Sequence, residues 1–365
     1  MKKCKLTAIF LIVFFICVKG QNDTLYRNLH LNEIQIIGSH NSYKKVIEPD
    51  LLKLIFNKDS VLAYSLQYEH LSLDSQLTLG LRSLELDVYH DPLGGKYKNP
   101  VGFKYLRKIG VKPESFDTNN ELNKPGLKVF HIQGIDFRST NLLFIDCLRS
   151  IKKWSDKNKD HVPIIITINA KDSKIDLDSA VVPFDFSRSA LDSIDLEIRS
   201  VFSKDELITP DFIQGKYPSL EEAVMKKGWP KIHSVSGRFL FVLDEKGKKL
   251  NNYLNPDGSL RNKVMFVNLK EGNPCAAIRI INDPIKNEAY IQKLVKEGYI
   301  VRTRADDNTW EARRNFYGKF KKAVESGAQI ISTDYYLPSR LFNSTYHVVF
   351  DNLNYIKINK FLITN

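Results

Sequence analysis

The stretch "PIIITINAK" (residues 163–171) decides the fold. Its nearly unbroken run of isoleucines is typical of a β-strand that is buried on both faces, as the strands of a parallel sheet are. The run ends in polar groups, Asn169 and Lys171, which a buried strand does not need for packing. Other apolar strands that end in the same way would contribute polar groups to the same site.

Similar strands recur along the chain, with helical stretches between them. The other predicted strands are "EIQIIGSH" (33–40), "LRSLELDVY" (81–89), "LKVFHI" (127–132), "GRFLFVLD" (237–244), "VMFVNLK" (264–270), "YIVRTRA" (299–305) and "QIISTDY" (329–335). The predicted helices cover 72–80, 139–158, 187–202, 283–298 and 309–327. Strands that alternate with helices imply an α/β fold with a parallel sheet, and eight of them fit a TIM-type (β/α) barrel. A doubly wound sheet is disfavoured because no glycine-rich phosphate loop follows the first strand.

The N-terminus has the pattern of a secretory signal peptide. Lys2, Lys3 and Lys5 precede an apolar run over 6–18, which is too short to span a bilayer comfortably. We expect cleavage after Gly20, which leaves one barrel domain over 21–365 in a secreted or periplasmic protein. An uncleaved anchor is the alternative. The mean hydropathy of −0.28 argues against a protein with several membrane spans.

The chain is basic, with a net charge of +12. Residues 1–20 contain four lysines and no acidic residue, so the mature chain would carry +8. This charge suits an anionic partner such as a phospholipid headgroup, although solubility alone would also explain it. We expect no nucleic-acid partner, because no dense run of Lys and Arg is interleaved with aromatic residues. We expect a monomer.

Two cysteines, Cys147 and Cys275, remain after the signal peptide. They would allow one disulfide in an exported protein, but they do not make a disulfide framework. No pair of cysteines has the spacing of a zinc site.

In a (β/α) barrel the active site lies at the carboxyl ends of the strands, and polar residues collect there in this sequence. They are His40, Asn41, Glu85, Asp87, His131, Asn169, Lys171, Arg302, Arg304 and Asp334. Glu85 and Asp87 are two residues apart, so they point to the same face of their strand. Two carboxylates on an inward face would repel each other unless a cation lies between them, and oxygen ligands favour calcium or magnesium. The alternative is a network of salt bridges.

The other polar residues suggest phosphate chemistry. His40 and His131 end different predicted strands and could act as general base and general acid around a phosphate. Lys171, Arg302 and Arg304 could hold phosphate oxygens or vicinal hydroxyls. Each of these cations could equally form a salt bridge at the rim, for example with Asp334.

The motifs together resemble one family. "GSHNSY", "LRSLELDVYHDP", "KVFHIQGIDF", "VPIIITINAKD", "VRTRADDNTWEARR" and "GAQIISTDYYLPS" resemble the calcium-dependent phosphoinositide phospholipases C of the bacterial secreted type, from about Asn32 to Leu341. The resemblance implies a distorted TIM barrel that binds one Ca²⁺ and acts on phosphoinositide lipid at a membrane surface. It implies that His40 and His131 are the catalytic pair and that Asn41, Glu85 and Asp87 are metal ligands. The inositol 2-hydroxyl would attack phosphorus, and diacylglycerol would leave.

Asn169 departs from the family pattern, which usually has a glutamate on the fourth strand. An amide oxygen can still bind calcium, so Asn169 stays in the predicted ligand set, but it brings no negative charge and cannot act as a base. Weaker metal binding, a changed rate or a different substrate would follow.

Two other functions compete with this interpretation. A glycerophosphodiester phosphodiesterase would use a similar barrel, but such enzymes typically show His-Arg-Gly-Ala where this chain has His-Asn-Ser-Tyr. A binding protein on a catalytically impaired barrel is the second alternative, with Asn169 as the mark of lost catalysis.

Overall fold

The computed structural model describes residues 23–363, so the predicted signal peptide lies outside the described residues. The strands within this range are β1 (Ile34–Ser39), β2 (Ser83–Tyr89), β3 (Lys128–Val129), β4 (Ile164–Ala170), β5 (Phe239–Leu243), β6 (Met265–Val267), β7 (Ile278–Ile280), β8 (Ile300–Arg304), β9 (Ile330–Thr333) and β10 (Ile356–Ile358).

Eight of these strands form a parallel barrel. The hydrogen-bonded order is β6-β5-β4-β2-β1-β9-β8-β7, and a single parallel bridge from Asn268 to Ile278 joins the two ends. β10 adds to β1 in the antiparallel direction outside this circle. The predicted TIM-type barrel is therefore confirmed, although the β6–β7 seam is closed by one bridge only.

One of the eight predicted strands was wrong. Residues 127–132 do not form a barrel strand, because the position beside β2 is taken by β4, which pairs with β2 at six positions. Only Lys128 and Val129 form a strand, and they run antiparallel to the end of β2. The true eighth barrel strand is β7, which the sequence did not reveal. It is three residues long and Arg279 interrupts its apolar pattern.

Helices lie between the strands at each of the five predicted places, although the helix predicted over 139–158 begins only at Phe144. Within residues 23–363 they are α1 (Pro49–Lys58), α2 (Ser60–Ser65), α3 (Leu73–Leu79), α4 (Val101–Lys108), α5 (Phe144–Lys157), α6 (Arg188–Val201), α7 (Pro210–Gln214), α8 (Leu220–Lys226), α9 (Ile232–Val235), α10 (Gly247–Tyr253), α11 (Pro284–Lys296), α12 (Trp310–Arg314) and α13 (Gly318–Glu325). Short 3₁₀ helices cover Asp23–Tyr26, Leu31–Glu33, Glu121–Asn123, Lys204–Glu206 and Asp351–Leu353. The predicted helix over 309–327 is two helices, since Asn315 adopts a left-handed conformation (φ 49°) that ends α12.

Two local features aim the end of β1 into the barrel mouth. A Cβ on Gly38 would lie 2.5 Å from Cβ of Ser83, so only glycine allows β1 and β2 to approach this closely. Three residues later Asn41 adopts a left-handed conformation (φ 46°), which asparagine tolerates better than most residues. The chain therefore turns sharply straight after His40.

The apolar core has two parts that matter for the site. The larger part fills the space between the strands and the surrounding helices, and it includes Leu84, Leu86 and Val88 on the outer face of β2. A separate cluster, which includes Tyr89, Phe130 and Phe137, lies under the long segments that follow β1 and β2. These segments thus have a core of their own, which supports one wall of the barrel mouth.

Cys147 and Cys275 are both free and buried in the described part of the chain, so the possible disulfide does not form. Among the helices of residues 23–363, none has the length and hydropathy needed to span a bilayer.

Candidate active site

A cavity of about 330 Å³ lies at the carboxyl ends of the barrel strands and brings the predicted residues together. Nine of the ten predicted site residues line it: His40, Asn41, Glu85, Asp87, His131, Asn169, Lys171, Arg302 and Arg304. Asp244, Glu245, Lys249 and Asn282, which the sequence analysis did not single out, line it too. Asp334 lies behind His40.

The carboxylate pair points into the barrel, as the alternation of β2 predicted. Asp87 is paired in register with Asn169 on β4, so these two side chains lie side by side on the inner face. The Asn169 Nδ2 donates to Glu85 Oε1 and to Asp87 Oδ1, both at 2.9 Å. One amide nitrogen therefore marks a point where oxygens of both carboxylates converge.

Each carboxylate also has a cationic partner. Arg302 forms a buried ion pair with Glu85, and it also donates to Oδ1 of Asn282 at 3.1 Å. The Lys171 Nζ lies 3.4 Å from Asp87 Oδ2. Burial by itself would raise the pKa of Asp87, but Lys171 and other neighbours bring that pKa below its ordinary value. Asp87 is therefore ionised at neutral pH.

His40 is held by Asp334, at 2.8 Å between Nδ1 and Oδ1. A carboxylate only accepts hydrogen bonds, so Nδ1 of His40 donates and Nε2 is left for the cavity side, where it lies 3.6 Å from Glu85 Oε1. Arg304 pairs with the other oxygen of Asp334 at 3.1 Å. Burial would raise the pKa of Asp334, but His40 and Arg304 hold it well below its ordinary value. Asp334 thus orients His40.

His131 lies in the loop that follows β3, and an aspartate holds its ring as Asp334 holds His40. Its Nδ1 lies 2.7 Å from Asp136 Oδ2 and donates to it. Asp136 was missed by the sequence analysis, although it stands in the quoted motif "KVFHIQGIDF". A turn at Gly134 (φ 90°) folds the chain back. Asp136, five residues after His131, therefore reaches the His131 ring.

A segment between α2 and α3 supports the His40 loop from behind. The Tyr68 ring stacks near the His40 ring, with centroids 6.0 Å apart, and its hydroxyl accepts from Nδ2 of Asn41 at 2.7 Å. The His70 Nε2 donates to the His40 carbonyl at 2.7 Å. Burial lowers the pKa of His70 to about 4, so this ring stays neutral near neutral pH. No sequence pattern pointed to these residues, because they lie far from any strand end.

The donor set fits a hard divalent cation. Asn41, Glu85, Asp87 and Asn169 line one cavity with two carboxylates and two side-chain amides, which are the oxygen donors that calcium prefers. Oxygens of both carboxylates already converge on the Asn169 amide. In the described residues no group of three or more His, Cys, Asp or Glu side chains is placed to hold a metal, so the amides would have to complete the set.

A larger cavity of about 800 Å³ lies near Trp154 and His161, where the chain enters β4. Its buried charges are already paired, since Asp23 binds Arg82 at 2.7 Å. Among the described residues that line it, no carboxylate pair is flanked by two histidines. The chemistry of the side chains, rather than cavity size, therefore identifies the smaller cavity as the candidate site.

Comparisons with known proteins agree with this site. The family model described as "Phosphoinositide phospholipase C, Ca2+-dependent" matches residues 29–360. A comparison with curated proteins gave no match.

Solved structures of a Pseudomonas enzyme share the fold. A calcium-dependent phosphoinositol-specific phospholipase C from Pseudomonas sp, in its myoinositol complex, is 17% identical with a TM-score of 0.57, over 92% of this chain and 97% of its own. A second crystal form of the Pseudomonas enzyme is 16% identical with a TM-score of 0.56, over 91% of this chain and 96% of its own. A Ca²⁺-dependent phosphatidylinositol-specific phospholipase C from Streptomyces antibioticus is 17% identical with a TM-score of 0.49, over 87% of this chain and 99% of its own.

Proposed function

The chain belongs to the Ca²⁺-dependent phosphoinositide phospholipase C family, and from this premise we propose that it cleaves phosphatidylinositol-type phosphodiesters into diacylglycerol and a cyclic or linear inositol phosphate. The family is one of phosphodiesterases, so the chain is an enzyme of that class. One observation carries the specific proposal: two histidines, each backed by an aspartate, face the cavity that also holds Glu85 and Asp87.

The two histidines would move the protons of the reaction. In each ring Nδ1 donates to an aspartate, which fixes the tautomer and leaves Nε2 on the side of the cavity. One neutral Nε2 would take the proton of the inositol 2-hydroxyl as that oxygen attacks phosphorus. The other ring, protonated at Nε2, would give its proton to the departing diacylglycerol oxygen.

The cations of the site would hold the phosphate. Lys171, Arg302 and Arg304 line the cavity and could donate to the non-bridging oxygens. Asn41, Glu85, Asp87 and Asn169 would bind Ca²⁺, which when bound lowers the pKa of the attacking hydroxyl and offsets the charge on phosphorus.

The cellular setting follows from the sequence. We propose that residues 1–20 are a cleaved signal peptide and that 21–365 form a single barrel domain. The mature protein would be secreted or periplasmic, would act as a monomer and would meet its lipid at a membrane surface, to which its positive charge suits it.

The test is turnover of phosphatidylinositol vesicles by purified 21–365, with calcium or with a chelator. We expect turnover in calcium and its loss in chelator, and a fall of about 100-fold or more in His40→Ala and His131→Ala. An inositol phosphodiester with a p-nitrophenolate leaving group identifies the general acid, because that leaving group departs without a proton. Turnover of this substrate should therefore be restored only in the variant that lacks the histidine acting as general acid.

Three outcomes would contradict the proposal. Undiminished turnover in chelator would exclude the calcium mechanism. Turnover of glycerophosphocholine in place of phosphatidylinositol would identify a glycerophosphodiesterase. Calcium binding without turnover of either substrate would indicate a binding protein on an impaired barrel.

A further inference from the structure

The two histidines lie on separate loops, and a buried lysine connects the structures behind them. Lys44 is completely buried, with a side-chain exposure of 0%. Its ammonium donates to the carbonyls of Leu66 and Tyr68, both at 2.9 Å, and lies 3.3 Å from Asp136 Oδ1. It also donates to the Lys45 carbonyl at 3.4 Å, so carbonyls take its three donors, and its contact with Asp136 is an ion pair without a hydrogen bond.

The partners of Lys44 belong to both halves of the site. Asp136 divides its oxygens, with Oδ2 on His131 and Oδ1 facing Lys44. Tyr68, whose carbonyl Lys44 holds, stacks near His40 and accepts from Asn41. Lys44 therefore ties the aspartate of one histidine to the segment that supports the other.

The backbone reinforces the same connection. The Thr140 amide donates to the Tyr43 carbonyl at 2.8 Å, and the His70 amide donates to the Lys44 carbonyl at 2.9 Å. The backbone at Tyr43 and Lys44 is thus hydrogen-bonded both to the chain that follows Asp136 and to His70. The contact with the Asp136 carboxylate itself is made by the Lys44 side chain. That carboxylate is also completely buried, and burial of a charge is costly unless an opposite charge lies close to it, as the Lys44 ammonium does.

We propose that Lys44 is a positioning residue, which acts through Asp136 to hold His131 at a fixed orientation and a fixed separation from His40. The proposal rests on the proposed function, since it assigns a role in that reaction. Lys44 does not line the cavity, so it acts on the reaction only through its neighbours. Loss of its charge leaves Asp136 without a counter-ion, and the carboxylate no longer fixes the ring.

The experiment compares Lys44→Met with Lys128→Met as a matched control. Lys128 is also completely buried, donates to the carbonyls of Lys124 and Gly126 at 2.6 and 2.8 Å, and lies 3.6 Å from Asp91 Oδ2. Both variants remove a buried ammonium, so both should unfold at a lower temperature. Only Lys44→Met should lower kcat, by about 100-fold, with KM little changed. Equal kcat values in the two folded variants would overturn the proposal.

A second readout does not depend on turnover. The ring nitrogens of His131, observed by NMR in the free protein, should show the Nδ1–H tautomer in the wild type and in Lys128→Met. In Lys44→Met they should show a mixture of tautomers, and an unchanged spectrum would overturn the proposal. If the wild type fails to cleave phosphatidylinositol, the proposed function falls, while this spectrum still tests the role of Lys44.

If Lys44→Met does not fold, the single variant Asp136→Asn is compared with the double variant Asp136→Asn/Lys44→Met. In both, a neutral amide replaces the Asp136 carboxylate, and an amide needs no counter-ion. Since Lys44 acts through Asp136, removal of Lys44 in this background should leave kcat within about threefold. A further fall of about tenfold or more would overturn the proposal.

Discussion

At the scale of single residues, the carboxylates of Glu85 and Asp87 are neutralised by the protein itself. Arg302 and Lys171 supply the positive charges, and the amide of Asn169 donates to both carboxylates. The sequence allowed either a metal or a salt-bridge network for this pair. The structure shows the network, and the oxygen donors that converge there also suit a cation, which would have to compete with it.

The charge at position 169 should therefore set the calcium affinity. We expect Asn169→Asp to bind Ca²⁺ at least about tenfold more tightly, because a third carboxylate replaces an amide in the ligand set. In chelator the variant should unfold at a lower temperature than the wild type, because it loses two hydrogen bonds and places like charges together. Titration calorimetry and thermal unfolding measure the two effects.

Asn251→Asp is the control, since Asn251 is exposed on α10 and the variant adds the same charge. An unchanged affinity in Asn169→Asp, or an equal gain in Asn251→Asp, would contradict the idea that the charge at position 169 controls calcium binding.

At the scale of elements, the helices predicted over 187–202 and 283–298 begin within one residue of the observed α6 and α11. α11 begins after Asp283, whose carboxylate accepts from the amides of Ile285 and Lys286, both at 3.2 Å, and Pro284 occupies the first turn. α6 begins after Ser187, which accepts from the amide of Ala190. These starts follow from contacts within a few residues, so local sequence contains the information.

Removal of the α11 cap should lower stability by a predictable amount. We expect Asp283→Ala to reduce the free energy of unfolding by about 1 kcal/mol, because two amides of the first turn lose their acceptor. Asp283→Asn keeps a capping oxygen and should cost much less. Urea unfolding measures both variants, and an equal loss in the two would show that the cap is not the cause.

At the scale of the whole molecule, the barrel joins segments that lie far apart in sequence. Asp334 is 294 residues from His40, and Arg302 is 217 residues from Glu85. Neighbouring strands place such residues side by side, as β9 does when it pairs Thr333 with Ser39 of β1. The site therefore exists only in the closed fold, and its integrity depends on global stability.

Global stability should depend on pH through His161. Its Nδ1 donates to the Val162 carbonyl and its Nε2 accepts from Ser155, both at 2.7 Å, so the folded state holds the neutral ring. Burial lowers the pKa of His161 to about 4 from 6.5. Between these values the unfolded chain binds more protons, so this contribution to stability falls as pH falls, by up to about 1.4 kcal/mol per pH unit.

His161→Gln removes this titration. The stability advantage of the wild type over the variant, measured by urea unfolding, should be larger at about pH 7 than at about pH 4.5. An advantage that does not change with pH would mean that His161 binds protons equally in the folded and unfolded states.

The amino-acid sequence by itself determined the fold class, the position of seven barrel strands and nine of the residues that line the candidate site. It could do so because strand periodicity and helix caps are local, and because the carboxyl ends of parallel strands meet at one end of a barrel. Tertiary structure alone decided which eighth strand closes the barrel, since a three-residue strand has almost no pattern and is selected by the gap between its neighbours. It also decided the partners of each group: Asp334 orients His40, Asp136 orients His131, and buried Lys44 stands behind both. Such pairings depend on distance and burial across the folded chain, which no local pattern contains.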